Sequence, residues 1–137
     1  MDIDIAAAYD SMVKIVADAA NVNTGMAALI DYCDTVYPSN LWNSIRILNY
    51  VEDEARLRQW LVSVFTNEPV PPAVKTFWCG MFNPVIDDEA SCALYISGSP
   101  RDYSPESLDW ACFRQDTYRP SQYVAKSQIL HTVYRTV

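Results

Sequence analysis

His131 is the one histidine in this chain of 137 residues, and the one side chain whose ordinary pKa lies near neutrality. As a general base it would need a nucleophile within hydrogen-bond reach. Ser127 stands one helical turn before it, and Cys112 is the thiol that folding would have to bring to it. No G-x-S-x-G elbow accompanies either, so a satisfied or exposed helical histidine is the expected role. Asp87-Asp88-Glu89 is the densest carboxylate run of the second half. Adjacent acids in one loop seldom converge on an ion, and the spaced acids of an EF-hand loop are missing. A solvated tip between two strands is expected there, and its functional reading is a contact loop for a basic partner. Ser97-Gly98-Ser99-Pro100-Arg101 is read as a turn, because three glycines in the whole chain make no phosphate-cradling loop. Cys33, Cys79, Cys92 and Cys112 form no C-x-x-C pair, which argues against zinc and for small apolar core residues. No catalytic residue, no metal and no cofactor is therefore expected, and the chain is not read as an enzyme.

The charge is more informative. Residues 1–54 hold nine acids (Asp2, Asp4, Asp10, Asp18, Asp31, Asp34, Glu52, Asp53, Glu54) against Lys14 and Arg46, which accounts for the whole formal charge of −7. Residues 55–137 hold eight acids and eight bases. An acidic front end repels nucleic acid and anionic lipid and attracts basic partners at long range. Asp31, Asp34, Glu52, Asp53 and Glu54 are the candidate partner-binding residues, with Asp87, Asp88 and Glu89 as a second patch. The N-terminus lacks a basic leader and a long apolar run, and no stretch of about 18 apolar residues exists. A cytoplasmic protein with no membrane partner is the expectation.

Periodicity places the elements. Ile5, Tyr9, Met12, Val13 and Val16 predict a helix over 4–20, with Asp10, Lys14 and Asp18 on its polar side and the Asn21–Gly25 run ending it. Met26, Leu29, Ile30, Cys33 and Val36 predict a second helix, closed by Tyr37-Pro38. A third helical segment covers 41–65, as one bent helix or two, and the Glu52-Asp53-Glu54 triplet suits a helix N-terminus as well as a binding patch. Prolines 69, 71 and 72 make a stiff connector over 67–73. Strands are predicted at 76–82, 92–97 and 109–114, followed by a helix introduced by Pro120-Ser121. Phe77, Cys79, Met81, Leu94 and Ile96 point to one side of the sheet, and Trp78, Phe82 and Tyr95 to the other. Both faces are apolar, so either helices cover both or one awaits another chain. The fold class is α+β: N-terminal helices packed with a small three-stranded antiparallel sheet and a C-terminal helix, in a single domain over 1–137.

The runs TFWCGMFNPVIDDEASCALYISGS and DWACFRQDTYRPSQYVAKSQILHTVYR give residues 74–137 a resemblance to the small immunity proteins of bacterial interbacterial and polymorphic toxin systems. That resemblance implies an acidic α+β inhibitor that binds and blocks a cognate toxin, and it assigns no contact residue. The expected function is an acidic protein-interaction module that occludes a basic protein partner. The alternatives are a homo-oligomeric structural or adaptor protein, such as a homodimer, in which the apolar second face of the sheet pairs with its own copy, and a small enzyme using Cys112 or His131.

Overall fold

The computed structural model describes residues 4–86, 88–112 and 115–136. The elements are α1 (Ile5–Asp18), α2 (Val22–Val36), α3 (Leu41–Arg46), α4 (Tyr50–Asn67), β1 (Thr76–Phe82), β2 (Val85–Ile86), β3 (Glu89–Ala90), β4 (Ala93–Ser99), β5 (Val124–Lys126) and α5 (Gln128–Thr136). The fold is α+β, with a three-stranded antiparallel sheet and a C-terminal helix. The chain divides into two compact units, one running to Glu54 and one spanning Ala55–Arg135. That division lies inside α4 and not at the proline connector.

In the first unit, α1 packs on α2 and α2 on α3. Asp4 caps α1 by accepting the Ala7 N–H at 3.0 Å. Asn21 does not end α1 as a C-cap; it starts α2, accepting the Thr24 N–H at 3.0 Å while the Thr24 hydroxyl oxygen accepts the Asn21 N–H. Gly25 therefore sits inside α2, where a Cβ would come within 2.8 Å of Ala19 Cβ, so the tight turn between the helices depends on its bare backbone. The third helical segment is two helices. The break falls at residues 47–49, where Asn49 accepts the Glu52 N–H and donates its amide to the Glu52 carboxylate at 3.0 Å. Glu52 and Asp53 occupy the first turn of α4, where acids meet the positive end of the helix dipole. The buried apolar residues are few: Ile30, Ile45 and Tyr50, whose hydroxyl donates to the Ile45 carbonyl at 2.7 Å.

In the second unit the sheet order is β1-β4-β5. The β1–β4 register pairs Phe77 with Gly98, Cys79 with Ile96 and Met81 with Leu94, so the two expected apolar faces are present. The ring of Phe65 from α4 lies 5.6 Å from that of Phe77 on the first face. The second face is covered by a loop, not by a helix. Trp110 stacks edge-on against Trp78 at 5.5 Å and against Tyr103 at 5.2 Å, and its indole N–H donates to the Ser104 carbonyl. The expected strand at 109–114 is thus not formed. Residues 109–112 are turn, and Phe113 and Arg114 lie outside the described residues. The third strand is β5, in the stretch expected to be helical, so α5 starts only at Gln128. Within the long loop between the two paired strands, β2 and β3 form a further hairpin. Asp88 sits in its turn at φ 61°, a left-handed conformation that Asp tolerates better than most residues.

Glu68, just past α4, latches the loop ahead of β5. Its carboxylate accepts the Ser121 N–H at 2.8 Å and also the Ser121 hydroxyl, while its carbonyl accepts from Tyr118 at 2.6 Å. The two bonds from Ser121, hydroxyl first, hold the Glu68 carboxyl below its ordinary 4.5. A lowered folded pKa gives stability that is complete above the unfolded value and is lost as pH falls through the folded one. Ser121→Ala is expected to flatten the loss of stability on acidification. Urea melts between about pH 7 and pH 3 measure it, and an unchanged acid limb would show the latch to be silent.

Candidate functional site

Four segments of the second unit converge on a cavity of about 370 Å³: α4 through Arg56, β3 and the link to β4 through Glu89, Ser91 and Cys92, the end of β5, and the first turns of α5. Ser91 is 3% exposed, and its Oγ lies 2.8 Å from His131 Nδ1. The two residues meet across 40 positions because the Ser91 N–H donates to the Pro84 carbonyl at the neck of the β2–β3 hairpin, while the His131 N–H donates to Ser127 in the first turn of α5. His131 is thus a satisfied helical histidine, as the sequence implied, but its partner is neither Ser127 nor Cys112. The Ser127 hydroxyl oxygen caps α5 by accepting the Leu130 N–H at 3.0 Å, and the Cys112 thiol donates to Leu108. A serine beside an imidazole is half of a nucleophile–base–orienter set. Among the described residues no carboxylate is bonded to the ring to supply the third part. Lys126 lines the cavity with no carboxylate partner among the described residues, and Arg56 is bonded to the Gln128 side chain. None of the four cysteines is buried as a core residue: Cys33 and Cys92 are half-buried, Cys79 and Cys112 exposed, and all are free. Burial pushes the Cys33 thiol up, which keeps it protonated and a poor nucleophile.

The expected acidic patch is put largely to structural use. Asp31 pairs with Arg46 at 2.7 Å, tying α2 to α3. Asp34 accepts the Ser39 N–H at 3.2 Å. The Glu52 carboxylate accepts the Asn49 side-chain amide at the start of α4, Asp53 beside it is buried, and Glu54 follows in the same helix half-buried. In the second patch, Glu89 pairs with Arg135 of α5 and Asp88 shapes a turn, while Asp87 lies outside the described residues.

Among the described residues of the first unit, the acids that stand open are on α1. Asp10 and Asp18 are exposed, and neither pairs with Lys14. An apolar stripe that no element of the unit covers runs along the same helix, with Asp10 on its flank and Asp18 on the far side: Ile5 is 79% exposed, Tyr9 63%, Val13 49% and Val16 62%. On a helix these positions fall within about a quarter turn of one another. The adjoining face, with Ala8, Met12 and Ile15, is the less exposed one. The periodicity locates the stripe and gives it no role beyond making a helix. Its width gave the missed signal: Ile5, Tyr9, Val13 and Val16 on top of Ala8, Met12 and Ile15 is more apolar surface than one neighbouring helix can bury.

Among the described residues no group of three or more His, Cys, Asp or Glu side chains could hold a metal ion, and no helix is long and apolar enough to cross a membrane. Compared with family models, curated proteins and solved structures, the chain matches none.

Proposed function

We propose that this chain is an acidic protein-interaction module that binds a basic protein partner and blocks it by occlusion, in the manner of a toxin immunity protein. One observation carries the reading: the whole −7 charge falls in residues 1–54, the same stretch that forms a separate compact unit with an uncovered apolar stripe on α1. Apolar surface of that extent is seldom left open without a partner. A basic amphipathic helix fits it, with apolar residues for the stripe and Lys or Arg for Asp10 on its flank, while Asp18 adds to the field at longer range. Acidic charge in the partner's approach path would raise association rates by about 10–10³ at low salt.

The test uses the product of a neighbouring gene, if that product is a basic toxin. Its affinity for the purified chain is measured as salt rises. Tight binding that weakens with salt, together with protection from the toxin in cells, supports the reading. Binding that ignores salt and survives Asp10→Lys with Asp18→Lys removes it.

A further inference from the structure

We propose that the cavity between β3, β5 and α5 binds a small molecule through a phosphate monoester group. The argument begins with charge. In a chain of net −7, this cavity is lined by the basic side chains of Arg56 and Lys126, with the His131 ring beside them and one carboxylate, Glu89, which is engaged by Arg135. Two basic side chains at the rim of a concave site focus field on whatever enters it, and a dianion gains most from this. A phosphate monoester carries about −1.5 to −2 near neutral pH.

The donors suit the same group. Ser91 holds His131 through Nδ1, so when the hydroxyl donates in that bond, Nε2–H is the ring's remaining donor. Gln128, the first residue of α5, also lines the space, which places the positive end of a nine-residue helix beside the two cations. The guanidinium of Arg56 is oriented by the Gln128 side chain, and the Lys126 ammonium meets no carboxylate among the described residues. At about 370 Å³ the cavity lies at the small end of ligand sites, with room for a phosphate and a compact organic body beyond it. Every residue that lines this site lies in the second unit, and the proposed partner-docking face on α1 lies in the first.

Titration with inorganic phosphate, with glycerol 3-phosphate and with acetate, followed by NMR of the His131 ring, tests the proposal. The phosphates are expected to move the His131 ring resonances saturably, glycerol 3-phosphate at lower concentration than phosphate, with acetate having little effect. Lys126→Ala is expected to weaken binding at least about tenfold. Lys126 is an exposed strand-end residue, so this variant keeps the fold, which an unchanged NMR spectrum away from the site verifies. Lys75→Ala, in the same unit but outside the lining, should leave the titration unaltered. Absence of saturation, equal binding of acetate, or full affinity in Lys126→Ala overturns the proposal.

Discussion

Trp110→Ala is expected to cost the sheet-bearing unit about 3–5 kcal/mol, the usual range for truncating a buried aromatic side chain. Trp110 is 8% exposed, sits edge-on between Trp78 and Tyr103, and spends its indole N–H on the Ser104 carbonyl. Its removal opens a void beneath two aromatic rings and strips the covering from the second sheet face. Those rings then meet water, and the loop over 100–112 loses its anchor. Because total stability in a domain is about 5–15 kcal/mol, this single change is expected to leave the unit partly unfolded at ordinary temperature. Trp110→Phe keeps ring contacts and loses the hydrogen bond, so it should lose far less. Urea denaturation followed by circular dichroism compares the two. Equal losses would assign the cost to the hydrogen bond, and a small loss in both would show that the loop merely rests on the sheet.

The same residue explains where the sequence misleads. Asp109–Arg114 is rich in aromatic and apolar residues, and so is any strand that packs between two layers. A loop that plugs an apolar sheet face needs that composition too, and local pattern does not separate the two. The stretch before α5 is the converse case. Val124, Ala125 and Lys126 have no long alternation, and β5 exists because β4 presents an open edge that must be paired. Tyr118 adds to that edge by exchanging two backbone hydrogen bonds of 2.8 Å with Gly98. Gly98 fits there for a steric reason, since a Cβ would approach Val74 to 2.8 Å and the Tyr118 ring to 3.2 Å. Gly80 has a similar reason: Tyr95, its cross-strand partner, lies over it with ring atoms 2.5 Å from where a Cβ would be, and so reaches the indole N–H of Trp78 at 2.7 Å. Glycines in strands signalled close packing in the sequence, but not against what.

The helical half was more legible, because helix periodicity is local. α1 and the end of α2 lie where their stripes placed them. The functional residues were less so. Charge composition located the acidic region correctly in the chain, yet composition does not tell an acid that caps a helix from one that is open to a partner. Asp31, Asp34, Glu52 and Asp53 are each explained by a local structural partner, a helix turn or burial. Ser91 and His131 carry no joint signal at all, since 40 residues separate them and only the packing of a hairpin against α5 brings them together.

The second large effect concerns the outward face of α1, and it separates binding from folding. Tyr9→Ser combined with Val16→Ser is expected to change stability by no more than about 0.5 kcal/mol per site, since both side chains are mostly in water already. Burying a large apolar side chain contributes about 1.5–3 kcal/mol, so the pair should cost a basic partner at least about a hundredfold in affinity. The loss should appear in the dissociation rate, because the stripe acts after contact. Asp10→Lys with Asp18→Lys should instead slow association and flatten its salt dependence, because those charges act before contact. Stopped-flow binding at several salt concentrations, with urea melts of each variant, measures all four quantities. Sedimentation of the free chain supplies the competing outcome. A dimer that dissociates on Tyr9→Ser and Val16→Ser would mean that a second copy covers the stripe, and the basic partner would lose its docking face. A monomer whose partner leaves faster without the stripe, and arrives more slowly without the acids, is what occlusion of a basic protein requires.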